Sequence, residues 1–305
     1  MKSYYNQEKI SSSLRIFFQK IFFLSIPHLK SLSYIITGMI SSESVVTSDI
    51  SRKLKDDFSL VNLESIERRF RRFFFSFSSI AYSFCDSLIK HIISLFCVKH
   101  SDNKVHISFD HMFCKNKFTI LLFSLRIGKQ GIPLWFRCFK GKHNPDAYNL
   151  NLIKDGISYC KNLFSDKNYH IIFLADRWFP HIELLSHIES IGCFYCIRSK
   201  SFFTYSYTNS KGNFITSHLR DIKPLKHSAK SLKNVFYTRK MIKTNIVVSN
   251  YSNTDEPWYL ITNDDTVMCI ALVWLTIIGA DYVKNKNHYH IKIRDTRKHK
   301  NRYCY

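Results

Sequence analysis

Two aspartates, Asp110 and Asp176, each close an apolar run of strand character, Val-His-Ile-Ser-Phe-Asp (105–110) and His-Ile-Ile-Phe-Leu-Ala-Asp (170–176). A carboxylate at the end of a buried strand is held rigidly at a sheet edge, where a hard cation such as Mg²⁺ can be shared with phosphate oxygens. The chain carries 45 Lys and Arg against 23 Asp and Glu, a net charge of +22. The cations are spread along the sequence, so the expected electrostatic partner is a long polyanion, nucleic acid ahead of an anionic membrane. Spacing and charge together point to metal chemistry on nucleic acid.

Positioning such groups needs folded elements, and the composition supplies them. At 305 residues, 45% hydrophobic and 15% aromatic, the chain is long enough for two or three domains with real cores and is unlike a disordered basic tail. Nine cysteines without framework spacing fit free thiols in a reducing compartment. The one close pair, Cys193 and Cys196, lies in an apolar strand-like run with no second pair at zinc spacing. No signal peptide is expected, because the first apolar stretch is broken by Lys20, Pro27, His28 and Lys30. The run from Val267 to Ala280 is shorter than the roughly 20 residues of a bilayer span. A cytoplasmic protein is the resulting expectation.

Residues 1–100 show apolar residues at three- and four-residue spacing with little Gly or Pro, which predicts a helical domain. A short amphipathic helix over 44–54 is followed by one opening near Asn62, with Asn62 and Ser65 as candidate caps. In the second helix Ile66, Phe70 and Phe73 share a face while Arg68, Arg69, Arg71 and Arg72 cover the rest. The pair resembles a helix-turn-helix that presents guanidinium groups to DNA; the alternative is a solvated charged face. From about residue 104 the period changes to that of strands, with segments at 105–110, 118–127 and 132–139, then a helix from Asn144 to about Phe164, the strand ending at Asp176, a helix over 181–190 and a strand over 193–197. The order β-β-β-α-β-α-β predicts an α/β fold with a mixed sheet flanked by helices. Residues 201–263 read as a β-rich insertion ending in the strand Trp258-Tyr-Leu-Ile-Thr-Asn263. Residues 264–305 read as a remnant of the C-terminal part of the core with a basic tail.

Three strands, a helix and a fourth strand, with Asp at the ends of the first and fourth, match the ribonuclease H-like fold, here over 101–200. The segments Asp110-His-Met, Phe-Ser-Leu-Arg-Ile-Gly-Lys-Gln-Gly-Ile-Pro-Leu-Trp-Phe-Arg (123–137), Leu-Ala-Asp-Arg-Trp-Phe (174–179), Tyr-x-Ile-Arg-x-Lys (195–200) and Pro-Trp-Tyr-Leu-Ile-Thr-Asn (257–263) resemble the DDE transposases of bacterial insertion sequences, nearest the insertion-sequence-four group. The resemblance covers roughly residues 30–265. It implies that Asp110 and Asp176 are the first two metal-binding carboxylates and that Mg²⁺, with Mn²⁺ as substitute, serves DNA cleavage and strand transfer at terminal inverted repeats. It also implies a homodimer on paired DNA ends and no membrane partner. Arg177 would clamp a phosphate beside the site. Trp178 would stack on a base or pack in the core, and Arg198 and Lys200 would contact phosphate or stay solvated.

The third carboxylate departs from the family pattern. The last Glu is Glu256, and the helix expected to carry a Tyr-Arg-Glu-Lys signature reads Ala271-Leu-Val-Trp-Leu-Thr-Ile-Ile-Gly-Ala-Asp-Tyr-Val-Lys. Asp281 stands near the expected position without the preceding Tyr and Arg, and the stretch after Gly279 looks like sequence read past a frameshift or premature end. Two further expectations therefore stay open beside an active transposase: a non-catalytic DNA-binding protein or repressor of transposition, and a different ribonuclease H-like nuclease.

Overall fold

The computed structural model describes residues 7–22, 24–57, 62–77, 81–97, 103–114, 117–127, 130–165, 168–224, 228–238, 242–250 and 257–265. The chain divides into two units, Met1–Ser101 and Asp102–Tyr305.

The first unit is helical: α1 (Gln7–Ile21), α2 (Ile26–Ser42), α3 (Thr47–Asp57), α4 (Leu63–Phe77) and α5 (Ala81–Cys97). Pro27 sits in the first turn of α2, where its missing N–H costs nothing. At the other end of α2 Glu43 takes a left-handed conformation (φ 52°), and the Ser44 hydroxyl accepts the Val46 N–H while donating to Asp49, which turns the chain into α3. The Asn62 side-chain oxygen Oδ1 accepts the Glu64 N–H and caps α4. Ile66, Phe70 and Phe73 are buried as their spacing predicts, joining Leu32, Ile35, Ile50 and Leu54 in one core. Among the described residues no helix is long and apolar enough to cross a membrane.

The second unit is a mixed α/β body. Its elements are β1 (Lys104–Cys114), β2 (Phe118–Ile127), β3 (Gln130–Lys140), a 3₁₀ turn (Pro145–Tyr148), α6 (Leu150–Asn162), β4 (His170–Ala175), α7 (Ile182–Ser190), β5 (Phe194–Ser199), β6 (Thr204–Thr208), β7 (Phe214–His218), β8 (Ala229–Tyr237), β9 (Ile242–Ser249) and β10 (Trp258–Thr262). All ten strands among the described residues form one sheet in the order β3-β2-β1-β4-β5-β10-β9-β8-β6-β7. β1, β2 and β3 are an antiparallel meander, and β1, β4 and β5 run parallel. β10 pairs antiparallel with β5, so the β-rich segment continues the same sheet.

Local chemistry explains the departures from the predicted boundaries. Helix formation after Asn144 comes in two steps. Asn144 accepts the Asp146 N–H to open the 3₁₀ turn, and Asn149 accepts the Asn151 N–H to start α6 afresh. β1 does not end at Asp110 as the apolar run suggests. Its parallel pairing with β4 stops at Phe109, but its antiparallel pairing with β2 continues to Cys114. β3 is an edge strand with Pro133 opposite Ser124, and the register shifts between Phe123 and Ser124 as a bulge.

The core between helix and sheet is tight where α6 crosses β2. Phe123 is fully buried, stacked on Phe109 with centroids 5.0 Å apart, and a Cβ on Gly156 would meet its ring at 2.5 Å. Gly156→Ala is therefore expected to destabilise the second unit by about 1–3 kcal/mol despite alanine's better helix propensity, because overpacking a dense core outweighs it. Urea denaturation of the variant against the parent checks this; an unchanged or raised midpoint contradicts the packing argument.

Candidate carboxylate site at the end of the parallel strands

The parallel ladder between β1 and β4 runs from Lys104 opposite His170 to Phe109 opposite Ala175. Asp110 and Asp176 are the next residues on each strand, one step beyond the last pair. Adjacent strands lie about 4.8 Å apart, so this register brings two carboxylate-bearing residues together. β4 ends at that step because the Phe179 N–H bonds back to the Asp176 carbonyl and turns the chain aside. Phe179 is buried, packing edge-on against Phe109 (4.7 Å) and flat against the ring of His111 (5.0 Å, 11°).

The Asp110 carboxylate accepts the His111 N–H at 2.7 Å. Partial burial raises the pKa of Asp110; that N–H pulls it down, and the negative charge of Asp176 raises it again. Asp176 keeps 44% of its side chain exposed, with Arg198 Nη1 at 3.6 Å, a Coulombic neighbour rather than a good hydrogen bond. The Arg198 guanidinium also lies over the Trp258 ring, 4.9 Å from its centroid. β10 runs antiparallel to β5, which is why its first residue reaches this end of the sheet.

His111 supports the site from behind. Its ring sits 4.2 Å from Tyr148 as well as against Phe179, and Nε2 lies 2.8 Å from the Ala147 carbonyl. A carbonyl only accepts, so Nε2 carries the hydrogen. Burial lowers the pKa of this imidazole, more than the carbonyl and Asp110 raise it.

Beside the carboxylates, Arg177, Trp178, Lys200 and Phe202 line a cavity of about 620 Å³. Trp178 is 63% exposed, which excludes the core-packing alternative. The Lys200 ammonium lies 4.1 Å from its ring centroid. Asp110, Asp176, Arg198, Arg177, Trp178 and Lys200 thus belong to one end of the sheet. Arg68, Arg69, Arg71 and Arg72 are exposed on α4 of the helical unit. There Arg68 pairs with Glu64 (2.9 Å), Arg71 pairs with Glu67 (3.3 Å) and Arg69 lies over Tyr34. Asp281 lies outside the described residues.

Sequence reasoning did not assign roles to His111, Phe202 or Trp258. The Asp110-His dipeptide was visible, but its packing partners at 147–148 and 179 are remote in sequence. Among the described residues no three His, Cys, Asp or Glu side chains cluster as a metal-binding group. Asp264 is not a third member: it is buried and bonded to His170, at the start of β4. Asp176 follows the other end of that strand, and six residues at about 3.3 Å each separate them. Cys193 and Cys196 are free thiols, pushed up to about 11 and about 12 by burial, and so poor thiolate ligands.

No family model and no curated protein matches the chain. Among solved structures it is similar to the Argonaute of Marinitoga piezophila in complex with 5′ OH guide RNA and target DNA, at 12% identity over 63% of this chain and 27% of that one, with a TM-score of 0.26. The same Argonaute with 5′ OH guide RNA gives 17% identity over 59% of this chain and 27% of that one, with a TM-score of 0.27. The chain thus spans about a quarter of those structures' length, and TM-scores this low fix neither its fold family nor its activity.

The depressed pKa of His111 has a signed consequence. As pH falls below the usual imidazole value of about 6.5, the unfolded chain takes up a proton that the folded chain resists, so stability falls with pH in that window. His111→Phe is expected to lose about 1 kcal/mol at pH 7, from the unpaired Ala147 carbonyl, yet to show a flatter stability profile between about pH 5 and 7. Denaturant titrations across that range check it; parallel profiles for both proteins contradict a half-buried neutral imidazole.

Proposed function

We propose that this chain is a nucleic-acid phosphodiester enzyme on a ribonuclease H-like sheet, and more narrowly a DNA transposase like those of the insertion-sequence-four group. The observation that supports it is the placement of Asp110 and Asp176 side by side where the parallel strands β1 and β4 part, within the order β3-β2-β1-β4-β5. Two adjacent carboxylates in a basic chain suit Mg²⁺ or Mn²⁺, which takes one or two protein carboxylates and completes its shell with water and phosphate oxygens. When bound, the metal would lower the pKa of an attacking water or 3′-hydroxyl and offset charge on the leaving oxygen.

The remaining work falls to side chains already in place. The His111 N–H holds one Asp110 oxygen and leaves the other lone pairs to a cation. Arg198, loosely paired with Asp176, can turn its fork toward a non-bridging phosphate oxygen as the strand arrives, and Arg177 offers a second. The fixed rings of Phe109, His111 and Phe179 resist closer approach or splaying of the two strand ends. In this reading the substrate is the DNA of terminal inverted repeats and a target, handled by a homodimer in the bacterial cytoplasm, with Asp281 as candidate third carboxylate.

The carrying experiment is cleavage of DNA bearing the cognate terminal repeats, with Mg²⁺ or Mn²⁺. Asp110→Asn and Asp176→Asn should each lower the rate at least roughly a hundredfold, since each removes part of a charge stabilisation worth several kcal/mol. Metal-dependent cleavage that survives both changes would sink the assignment.

A second reading, a DNA-binding protein without chemistry, is favoured by the exposed arginines of α4. Double-stranded DNA binding should weaken several-fold in Arg68→Ala/Arg72→Ala, and the slope of log affinity against log salt should fall by about two. Binding with that signature but no cleavage by the parent protein would select the second reading.

A further inference from the structure

The meander β1-β2-β3 has one packed face and one open face. Phe109, Phe123 and Trp135 stand opposite one another across its three strands and are buried, with Phe123 against α6. Alternation turns the residues between them to the other face. There Asp110 is opposite Leu122 and Phe136, Met112 is opposite Ile120 and Cys138, and Cys114 is opposite Phe118 and Lys140. Met112, Phe118 and Phe136 are 51%, 41% and 48% exposed. Large apolar side chains grouped in this way on one surface mark an interaction site. The face is also basic: Asp110 is the one acid in the three strands, while Lys140 toward one end and Arg126 toward the other are exposed.

We propose that the open face of the meander is a platform for single-stranded DNA running to or from Asp110, with unpaired bases stacked on Phe118 and Phe136 and phosphates drawn to Lys140 and Arg126. The inference rests on the phosphodiester reading above. A duplex turns its base faces inward, so rings exposed on a sheet surface stack only on unpaired bases, and they do so whatever the sequence. Sheets that bind single strands of RNA set aromatic rings on their open face to the same end. The spacing suits one strand. Phe136 lies two strands from Asp110, about 10 Å, and Phe118 lies one strand and four residues away, about 14 Å. A few nucleotides therefore reach both rings while a phosphate stays at the carboxylate. The rival occupant is a second copy of this chain, and area weighs against it. The rows from Asp110 to Cys114 across three strands span about 200 Å² at ordinary strand dimensions, well below the roughly 800 Å² per partner of a stable protein interface. A basic rim would also repel a second copy of a chain of net charge +22, whereas it attracts a polyanion.

The test uses the full chain and a fluorescein-labelled oligodeoxynucleotide of mixed sequence, single-stranded or paired with its complement, in EDTA so that no cleavage occurs. Anisotropy titration should show the parent binding the single strand. Phe118→Ala and Phe136→Ala should each weaken that binding about tenfold while leaving duplex affinity unchanged, and Phe118→Tyr and Phe136→Tyr should keep the parent's affinity. Both rings are exposed, so all four variants should retain the parent's circular dichroism melt and sedimentation coefficient. Single-strand affinity that survives both alanine changes, or a parent that binds the duplex but not the single strand, overturns the platform and leaves the phosphodiester reading standing. A parent dimer that falls apart in the alanine variants overturns it in favour of a contact between copies, and a lowered melt in both alanine variants overturns it in favour of a face packed under residues 266–305. No binding of either DNA by the parent overturns the phosphodiester reading together with it.

Discussion

The parallel pairing of β1 with β4 is the constraint on which the rest of the second unit depends. Six successive residue pairs set the register, and a slip of one residue would turn every side chain of β4 to the opposite face. Ile171, Ile172 and Phe173 are buried on both faces of the sheet, so such a slip is heavily penalised. Parallel neighbours also require a crossover, which α6 provides, and α6 can lie close over β2 only because position 156 has no Cβ to strike Phe123. The same register that buries Phe109 and Phe173 leaves Asp110 and Asp176 as the next pair. Hydrophobic burial thus brings two like charges together, and the pair adds nothing to stability.

The proximity of those charges appears in the pKa of Asp110, raised by burial and by Asp176. A fold selected only for stability would relieve it by one substitution, since opposed like charges destabilise a strand pair. Instead the structure offsets it with groups that leave lone pairs available: one backbone N–H on Asp110 and a guanidinium at 3.6 Å from Asp176. Tension between local electrostatics and an otherwise consistent core is expected at functional sites.

Much of this was legible in the sequence, and the reasons differ by element. The apolar, β-rich run of β2 and the arginine-flanked face of α4 each follow from a local sequence signal, and the structure reproduces them at Phe118–Ile127 and Leu63–Phe77. The extent of β1 was not legible, because Met112, Phe113 and Cys114 are exposed and are held in strand form by β2, a partner that a single run of sequence does not reveal. Nor was the joining of the β-rich segment to β5, which depends on β10, some sixty residues on, pairing back into the sheet. The two aspartates stood out because strand-end carboxylates are rare within apolar runs. Phe202 did not, since nothing in Ser-Phe-Phe-Thr indicates which ring will be left outside.

The two ends of β4 carry related pairs that behave differently, and burial accounts for the difference. At its start His170 bonds to Asp264, which is 4% exposed, while the imidazole stacks on Phe194 at 3.9 Å. Asn263 meanwhile caps the neighbouring strand by accepting the Tyr195 N–H. Breaking that pair would strand a buried carboxylate, so the end is fixed. Past its other end Asp176 is 44% exposed and Arg198 stands beyond good hydrogen-bond distance, a pair that water screens and that costs little to open. One strand therefore joins a rigid anchor to a loosely held carboxylate. The anchor keeps β4, and with it the Asp110–Asp176 register, from yielding when Arg198 and the carboxylates exchange partners, which confines any rearrangement to side chains at the open end.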